Sequence, residues 1–432
     1  MELTVVVIFL LAIGAVILRV TDETVAAILG VVLMVLLTEY TPGKAFSFID
    51  WNVMSILLGM WIITGYLIEG RIPELIINAL SKRVKTYKSF ILSMAIISGF
   101  LSMFVDNVLV ILLLGSIVLS IAKRAGADPF KSVMLIGVSA NFMGTALLMG
   151  DLPPQLLHSI AGAEFLDFIY FYGKPSSFPL LTLTFIITTY IIYKLYFKDE
   201  HDKPIDSGDL VKKAEPNIVT LISVIGFIAT VTAMAFRPLI GLPLGFITMA
   251  GASFTSITVE LIRRRKKELP SFEKILGHVE WRALLFYASL FSLVGGLEDA
   301  GILEEIASKI TGVLQAGIAT SYTVFYWVAG LLSTFIEHDA LLLTFLYIAR
   351  DASIMAGVDA WHVYWALVWS ATLGSNATVA AAPALYVALT LVESEAKVKI
   401  KPKDILRFTI PYALISLAIH YIITLPFWGV MI

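Results

Sequence analysis

The chain has 432 residues, 58% of them hydrophobic and only 15% charged, with a mean hydropathy of +0.88. A soluble globular domain carries about 45–50% apolar and about 25% charged residues, so the composition excludes an ordinary soluble enzyme. The absence of cysteine excludes disulfides, thiolate metal sites and a cysteine nucleophile, while the net charge of −2 says little by itself.

Apolar runs predict helices rather than a barrel, because strand-like alternation is absent and the runs approach the ~20 residues of a bilayer crossing. In chain order the expected spans are 3–20, 24–39, 52–70, 131–172 (interrupted), 178–197, 217–236, 241–262, 281–299, 362–392 (interrupted) and 408–429. The first run lacks a basic flank and an A-x-A-type cleavage site, so it reads as helix one. Two further stretches, 89–122 and 320–349, have 34 and 30 residues. Two spans and a turn need ~40 or more. Each carries its charges near the middle, at Asp106 and at Glu337 and Asp339. A re-entrant helical hairpin fits both facts, provided its tip is buried in protein or lines a cavity.

Lys and Arg concentrate in Arg71–Lys88, Lys123–Lys131, Arg263–Lys267 and Lys397–Arg407. The span order puts all four, with the linker 198–216, on one side. By the positive-inside rule that side is the cytoplasm, which leaves both termini outside.

An internal repeat appears at a shift of 230–231. It pairs Trp51 with Trp281, Gly65 with Gly295 and Glu74 with Glu304, then Ser102 and Phe104 with Ser333 and Phe335, then Ser139 and Ala140 with Ser370 and Ala371. The halves are 1–197 and 217–432. Each contains five crossings, an odd number, so the second is inverted relative to the first. Inverted repeats, broken helices and a midplane site are the recurring plan of secondary transporters.

Two boxes carry the chemistry. The first is Asp106-Asn107 and its counterpart Glu337-His338-Asp339, since carboxylates inside a membrane are expensive and mark ion or proton paths. The competing reading is a tip in water, where Asp-Asn is ordinary turn chemistry. His338 is either a titrating group or a structural hydrogen-bonding one. The second box is Asn141-Phe142-Met143-Gly144-Thr145 followed by Gly150-Asp151-Leu152-Pro153-Pro154, matched by Gly374-Ser375-Asn376-Ala377-Thr378 and Pro383. Gly and Pro break the helix, and broken ends offer carbonyls to cations and N–H groups to anions. Asp151 has no acidic counterpart, its repeat partner being Ala382. Arg237 and His420 read as interfacial, and Trp361, Tyr364, Trp365 and Trp369 as interface or packing aromatics. No phosphate loop, metal-ligand histidine spacing or nucleophile elbow is present, so ATP-driven pumping and catalysis are unsupported.

These boxes resemble the ArsB/NhaD branch of the ion transporter superfamily, which also contains the melanosomal P protein and, more distantly, the dicarboxylate/sodium symporters. Phe104-Val105-Asp106-Asn107-Val108 is similar to that branch's hairpin-tip Asp-Asn. Asn141 through Gln155 is similar to its Asn-x-x-Gly-Thr…Gly-Asp-Pro-Pro-Asn stretch, with Leu152 inserted and Gln155 in place of Asn. Glu337-His338-Asp339 departs from the usual Asp-Asn. The dicarboxylate symporters carry Ser-Asn-Thr at both tips; here fixed carboxylates would repel a dianion.

The expectation is an all-α inner-membrane secondary transporter with ten spans, two hairpins and two broken helices. Asp106 and Glu337 would bind the coupling H⁺ or Na⁺, with a Na⁺ site near Asp106, Asn107, Asn141 and Glu337. Asn107, Asn141, Thr145, Ser375, Asn376 and Thr378 would supply neutral ligands, and Asp151, His338 and Asp339 complete the candidates. Na⁺/H⁺ antiport comes first, proton-coupled export of arsenite or a related oxyacid second, and sodium–anion symport third. A channel is the alternative from another class. The lipid bilayer and a small ion or oxyacid are the expected partners, with a homodimer as an option, no cofactor and no nucleic acid.

Overall fold

The computed structural model describes residues 2–18, 20–81, 84–198, 215–397 and 399–430; most of the predicted linker 198–216 lies outside them. The first half contains α1 (Glu2–Ile17), α2 (Glu23–Leu37), α3 (Pro42–Ser47), α4 (Trp51–Glu69), α5 (Ile72–Ser81), α6 (Tyr87–Ser102), α7 (Asn107–Ala125), α8 (Pro129–Met143), α9 (Leu152–Ala161) and α10 (Ser177–Tyr196). The second half contains α11 (Ile218–Ala235), α12 (Arg237–Ile240), α13 (Leu244–Arg263), α14 (Phe272–Leu276), α15 (Trp281–Asp299), α16 (Ile302–Gln315), α17 (Ile318–Leu332), α18 (His338–Ala356), α19 (Trp361–Ser375), α20 (Pro383–Ala396) and α21 (Pro402–Thr424). A π-helical turn, Leu425–Val430, extends α21.

Local chemistry sets these boundaries. Side chains of Asp22, Asp50 and Asp128 cap α2, α4 and α8 by accepting backbone N–H bonds, and α7 and α18 end on Gly126 and Gly357 at positive φ. The repeat holds at the level of elements: a shift of 231 carries both ends of α7 onto those of α18. A shift of 230 carries both ends of α4 onto those of α15.

Packing is reciprocal between halves. α2 lies on α15 as α13 lies on α4, and α7 lies on α20 as α18 lies on α9. Two helix groups result. One holds α1, α2, α4, α11, α13 and α15; the other holds the hairpins α6–α7 and α17–α18 with α8, α9, α10, α19, α20 and α21. The outer faces of the first group are apolar and exposed, as at Leu36, Phe254 and Ile257, which suits lipid contact rather than water.

Six helices are long and apolar enough to cross a membrane alone: α4, α7, α10, α11, α13 and the extended α21. Some boundaries differ from the sequence expectation. α1 ends at Ile17 rather than 20, ahead of the Asp22 cap of α2, and α2 ends at Leu37 rather than 39, where Thr38 turns extended. α15 and α16 bend by 72° at Ala300–Gly301, which turns amphipathic α16 aside. The first broken helix ends at Ala161 rather than 172. Gly162 takes a left-handed conformation there, and a short hairpin, Tyr170–Phe171 with Lys174–Pro175, follows. His420 is also not interfacial. It is fully buried in α21, with Nδ1 2.8 Å from Thr184 Oγ1. Arg237, by contrast, stays partly exposed and pairs with Glu164. Trp365 and Trp369 are fully buried packing residues, stacked at 5.4 Å.

Candidate transport site

Both hairpin tips are acid-capped helix starts. Asp106 Oδ1 accepts from the N–H groups of Val108 at 2.9 Å and Leu109 at 3.3 Å. Glu337 accepts from Asp339 N at 3.1 Å and Ala340 N at 2.9 Å. A carboxylate here satisfies orphan donors and faces the positive end of the helix. The turn chemistry is therefore real, but both tips lie inside the protein rather than on its outer surface. Glu337 is 2% exposed, and Asp106 lies partly buried against Asp151 and Gly150 where the α8–α9 break meets the tip.

A line of amides joins the breaks. Asn107 Nδ2 donates to Asp151 Oδ2 at 2.9 Å and Asn141 Oδ1 at 3.3 Å. Asn141 Nδ2 in turn reaches Ser375 Oγ at 3.0 Å and Asn376 Oδ1 at 3.3 Å in the other half. Asp151 caps α9 through Leu152 N at 2.9 Å. Its repeat counterpart Ala382 occupies the same capping position at α20 without a side-chain bond. Thr378 Oγ1 donates to Thr334 O at 2.8 Å, tying the second break to the second tip. Thr145 is fully buried and its Oγ1 has no hydrogen-bond partner, as is true of Ser102 Oγ and Gln155 Oε1.

A cavity of about 450 Å³ runs to this cluster from a mouth at Asp22, Glu280 and Arg282. Asp106, Asn107, Asp151, His338 and Asp339 line its depth. Asp106 and Asp151 also line a narrow cavity of about 10 Å³ beside Trp61, Thr64 and Gln155, so these two carboxylates stand between two spaces. Glu337, Asn141, Thr145, Ser375, Asn376 and Thr378 do not line the large cavity; Glu337 supports the tip from behind as its cap. Among the lining residues described, Arg282 is the one Arg or Lys, and it pairs with Asp22 at the mouth.

Two lining residues, Glu280 and Tyr287, escape the sequence reading. Tyr287 lines the same cavity as Asp339, although 52 residues separate them in the chain. The available signal for Glu280 is the Trp51–Trp281 repeat pair, since an acid precedes each tryptophan and stands at the cap position of α4 or α15.

The two helix groups are tied together on the opposite face. Arg237 pairs with Glu164, the Ser159 hydroxyl donates to Asp50, and Arg350 Nη2 lies 2.5 Å from Glu298. At the mouth face, Glu69 holds Lys274 at 2.6 Å and His278 at 3.0 Å within the first group.

The sequence profile described as citrate transporter, CitMHS, matches residues 8–374. An uncharacterized transporter of Mycobacterium tuberculosis is 25% identical over 85% of each chain. Magnetosome protein MamN of Magnetospirillum gryphiswaldense is 23% identical over 80% of this chain and 77% of its own. The P protein of Sus scrofa is 23% identical over 88% of this chain and 54% of its own. The crystal structure of the YdaH transporter of Alcanivorax borkumensis, which reveals an unusual topology, superposes with a TM-score of 0.59. It is 14% identical and covers 90% of this chain and 88% of its own; that likeness concerns the fold. The motif-level resemblance to the ion transporter superfamily thus holds, and the chain is a multi-pass membrane transporter of the secondary type. With a match running through most of its length, it belongs to the citrate transporter family, CitMHS.

Proposed function

We propose that the protein exchanges Na⁺ for protons by alternating access, with Asp106 and Asp151 as the coupling pair. The observation that carries this reading is the convergence of Asp106, Asp151 and Asp339 at the end of a cavity whose one guanidinium is held at the mouth by Asp22. Such a site attracts cations and repels anions. Oxygen donors from two carboxylates and Asn107 suit a hard cation, and the same carboxylates take up the exchanged protons. Asn141, Ser375 and Asn376 position Asn107. Glu337 keeps the second tip helical.

The mouth shares its face with α14 and the end of α13, where Arg263–Lys267 cluster. On this reading the positive-inside rule makes the mouth cytoplasmic, so the cavity would open inward. A second reading has one observation in its favour, because about 450 Å³ exceeds what a bare ion needs. Proton-coupled export of a neutral oxyacid such as arsenite would use that volume. Citrate, suggested by the family's description, would bring further negative charge to the acids.

Reconstituted protein with a pH-sensitive dye inside the liposomes separates these readings. Na⁺ or Li⁺ addition should dissipate an imposed pH gradient under the first, and arsenite under the second. Proton movement unchanged by any of the three overturns both.

The polar ties on the closed face should act as the latch of this state. Because the native chain has no cysteine, one introduced at Thr64, which lines the narrow cavity, gives a clean readout. Combining Arg237→Gln with Arg350→Gln should speed labelling of Thr64→Cys by an impermeant maleimide added at that face. Stability should change by only ~1 kcal/mol per partly exposed pair. Equal labelling rates with and without the ties would remove the latch role.

A further inference from the structure

The second hairpin tip differs from the first in donor chemistry. Where α7 starts Asp106-Asn107-Val108, α18 starts Glu337-His338-Asp339. The Glu337 oxygens are already engaged by Asp339 N and Ala340 N. Its Oε1 also lies 3.2 Å from His338 Nδ1, and the same nitrogen is 3.1 Å from Ala381 O. A backbone carbonyl only accepts, so Nδ1 carries a proton, and Nε2 is the ring atom left facing Asp339.

That nitrogen has no hydrogen-bond partner, and neither does Asp339 Oδ1, which stands 3.6 Å from it. Both residues are 1% exposed, and both line the large cavity opposite Asp151. Ligand atoms of Glu337, His338 and Asp339 all fall within 4.8 Å of one another. A buried polar atom without a partner costs about 1–3 kcal/mol, and here two such atoms converge on one point. With metal–ligand bonds of about 2.1 Å, a bridging ion would subtend an angle of roughly 120° between them. The contact from Nδ1–H to a carboxylate and a carbonyl is the outer-shell arrangement that orients an imidazole ligand.

We propose that His338 Nε2 and Asp339 form a binding site for a first-row divalent cation, with Glu337 orienting the ring and Asp151 completing the charge across the cavity. An imidazole donor favours ions of the Co²⁺ or Zn²⁺ type over Na⁺, Mg²⁺ or Ca²⁺, which seek oxygen. The site shares its cavity with the proposed transport pathway, but occupancy is read without transport. The two readings can therefore fail separately.

The test uses full-length protein in detergent, stripped with chelator and titrated with Co²⁺ while ligand-field absorption is followed, then with Zn²⁺ by equilibrium dialysis. Wild type should take up about one ion per chain in a mixed nitrogen–oxygen environment. His338→Gln and Asp339→Asn should each weaken binding at least about tenfold, and Glu337→Gln, which keeps a capping oxygen, by about 10–100-fold. If one variant fails to fold, the others still decide. Failure of wild type to bind either ion, leaving His338 and Asp339 holding only a proton, overturns the proposal. So does binding unchanged in His338→Gln and Asp339→Asn. Na⁺/H⁺ exchange without Co²⁺ binding leaves the antiport reading standing alone, and the converse leaves the metal site.

Discussion

Asp106→Asn is expected to bring proton-coupled transport down to the level of empty liposomes while the protein still folds. The side chain has two separable duties. Its Oδ1 accepts the N–H bonds that start α7, and an asparagine oxygen does this about as well as an aspartate. Loss of the charge at the helix start costs only ~0.3–1 kcal/mol. The carboxylate charge between the two cavities is a different matter, because an amide neither takes up a proton nor neutralises a cation. Asp106→Ala removes the cap as well and should cost a further 0.5–2 kcal/mol or about that. Thermal unfolding in detergent alongside liposome transport reads both duties. Wild-type exchange by Asp106→Asn would place the coupling elsewhere in the cavity.

Gly150→Ala is expected to be strongly destabilising for so small a change. A Cβ at Gly150 would stand 2.3 Å from Gly144 O, 2.6 Å from Ser102 O and 3.0 Å from Met103 O. All three are backbone carbonyls, so none can rotate away as a side chain would. The first break and the first hairpin tip touch through this glycine, and the methyl must push them apart. Overpacking of this kind costs about 3 kcal/mol at the upper end of its usual range, seen as a clear fall in the unfolding midpoint. Gly312→Ala supplies the contrast. Nothing lies within 4 Å of its Cβ, and alanine in an exposed helix should gain up to about 1 kcal/mol. Equal midpoints for Gly150→Ala and wild type would show that the tip tolerates displacement.

How much of this was legible beforehand differs between the scaffold and the site. The repeat, the hairpins and both breaks rest on residues adjacent in sequence: a cap followed by an apolar run, or glycine and proline inside one. Those signals act over one helical turn, so they can be read without tertiary contacts. The sequence carries the broken helix on to 172 because Ala161 is followed by more apolar residues, and only the left-handed Gly162 stops it. His420 reads as interfacial because it sits near a predicted helix end, whereas Thr184 and Trp369 enclose it.

The amino-acid order alone determined the class of protein, the offset of 230–231 and the two acidic tips, since composition, periodicity and capping are local or additive properties. Tertiary structure decided which acids share a space. Asp151 meets Asn107 across 44 residues, Tyr287 and Glu280 enter the cavity from α15, and Glu337 turns out to be a cap behind the cavity while its neighbours His338 and Asp339 face into it. The physical reason is that helices in a membrane are apolar on both their lipid and protein faces. Their sequence therefore records that they pack, and only the three-dimensional arrangement records which neighbour each polar side chain meets.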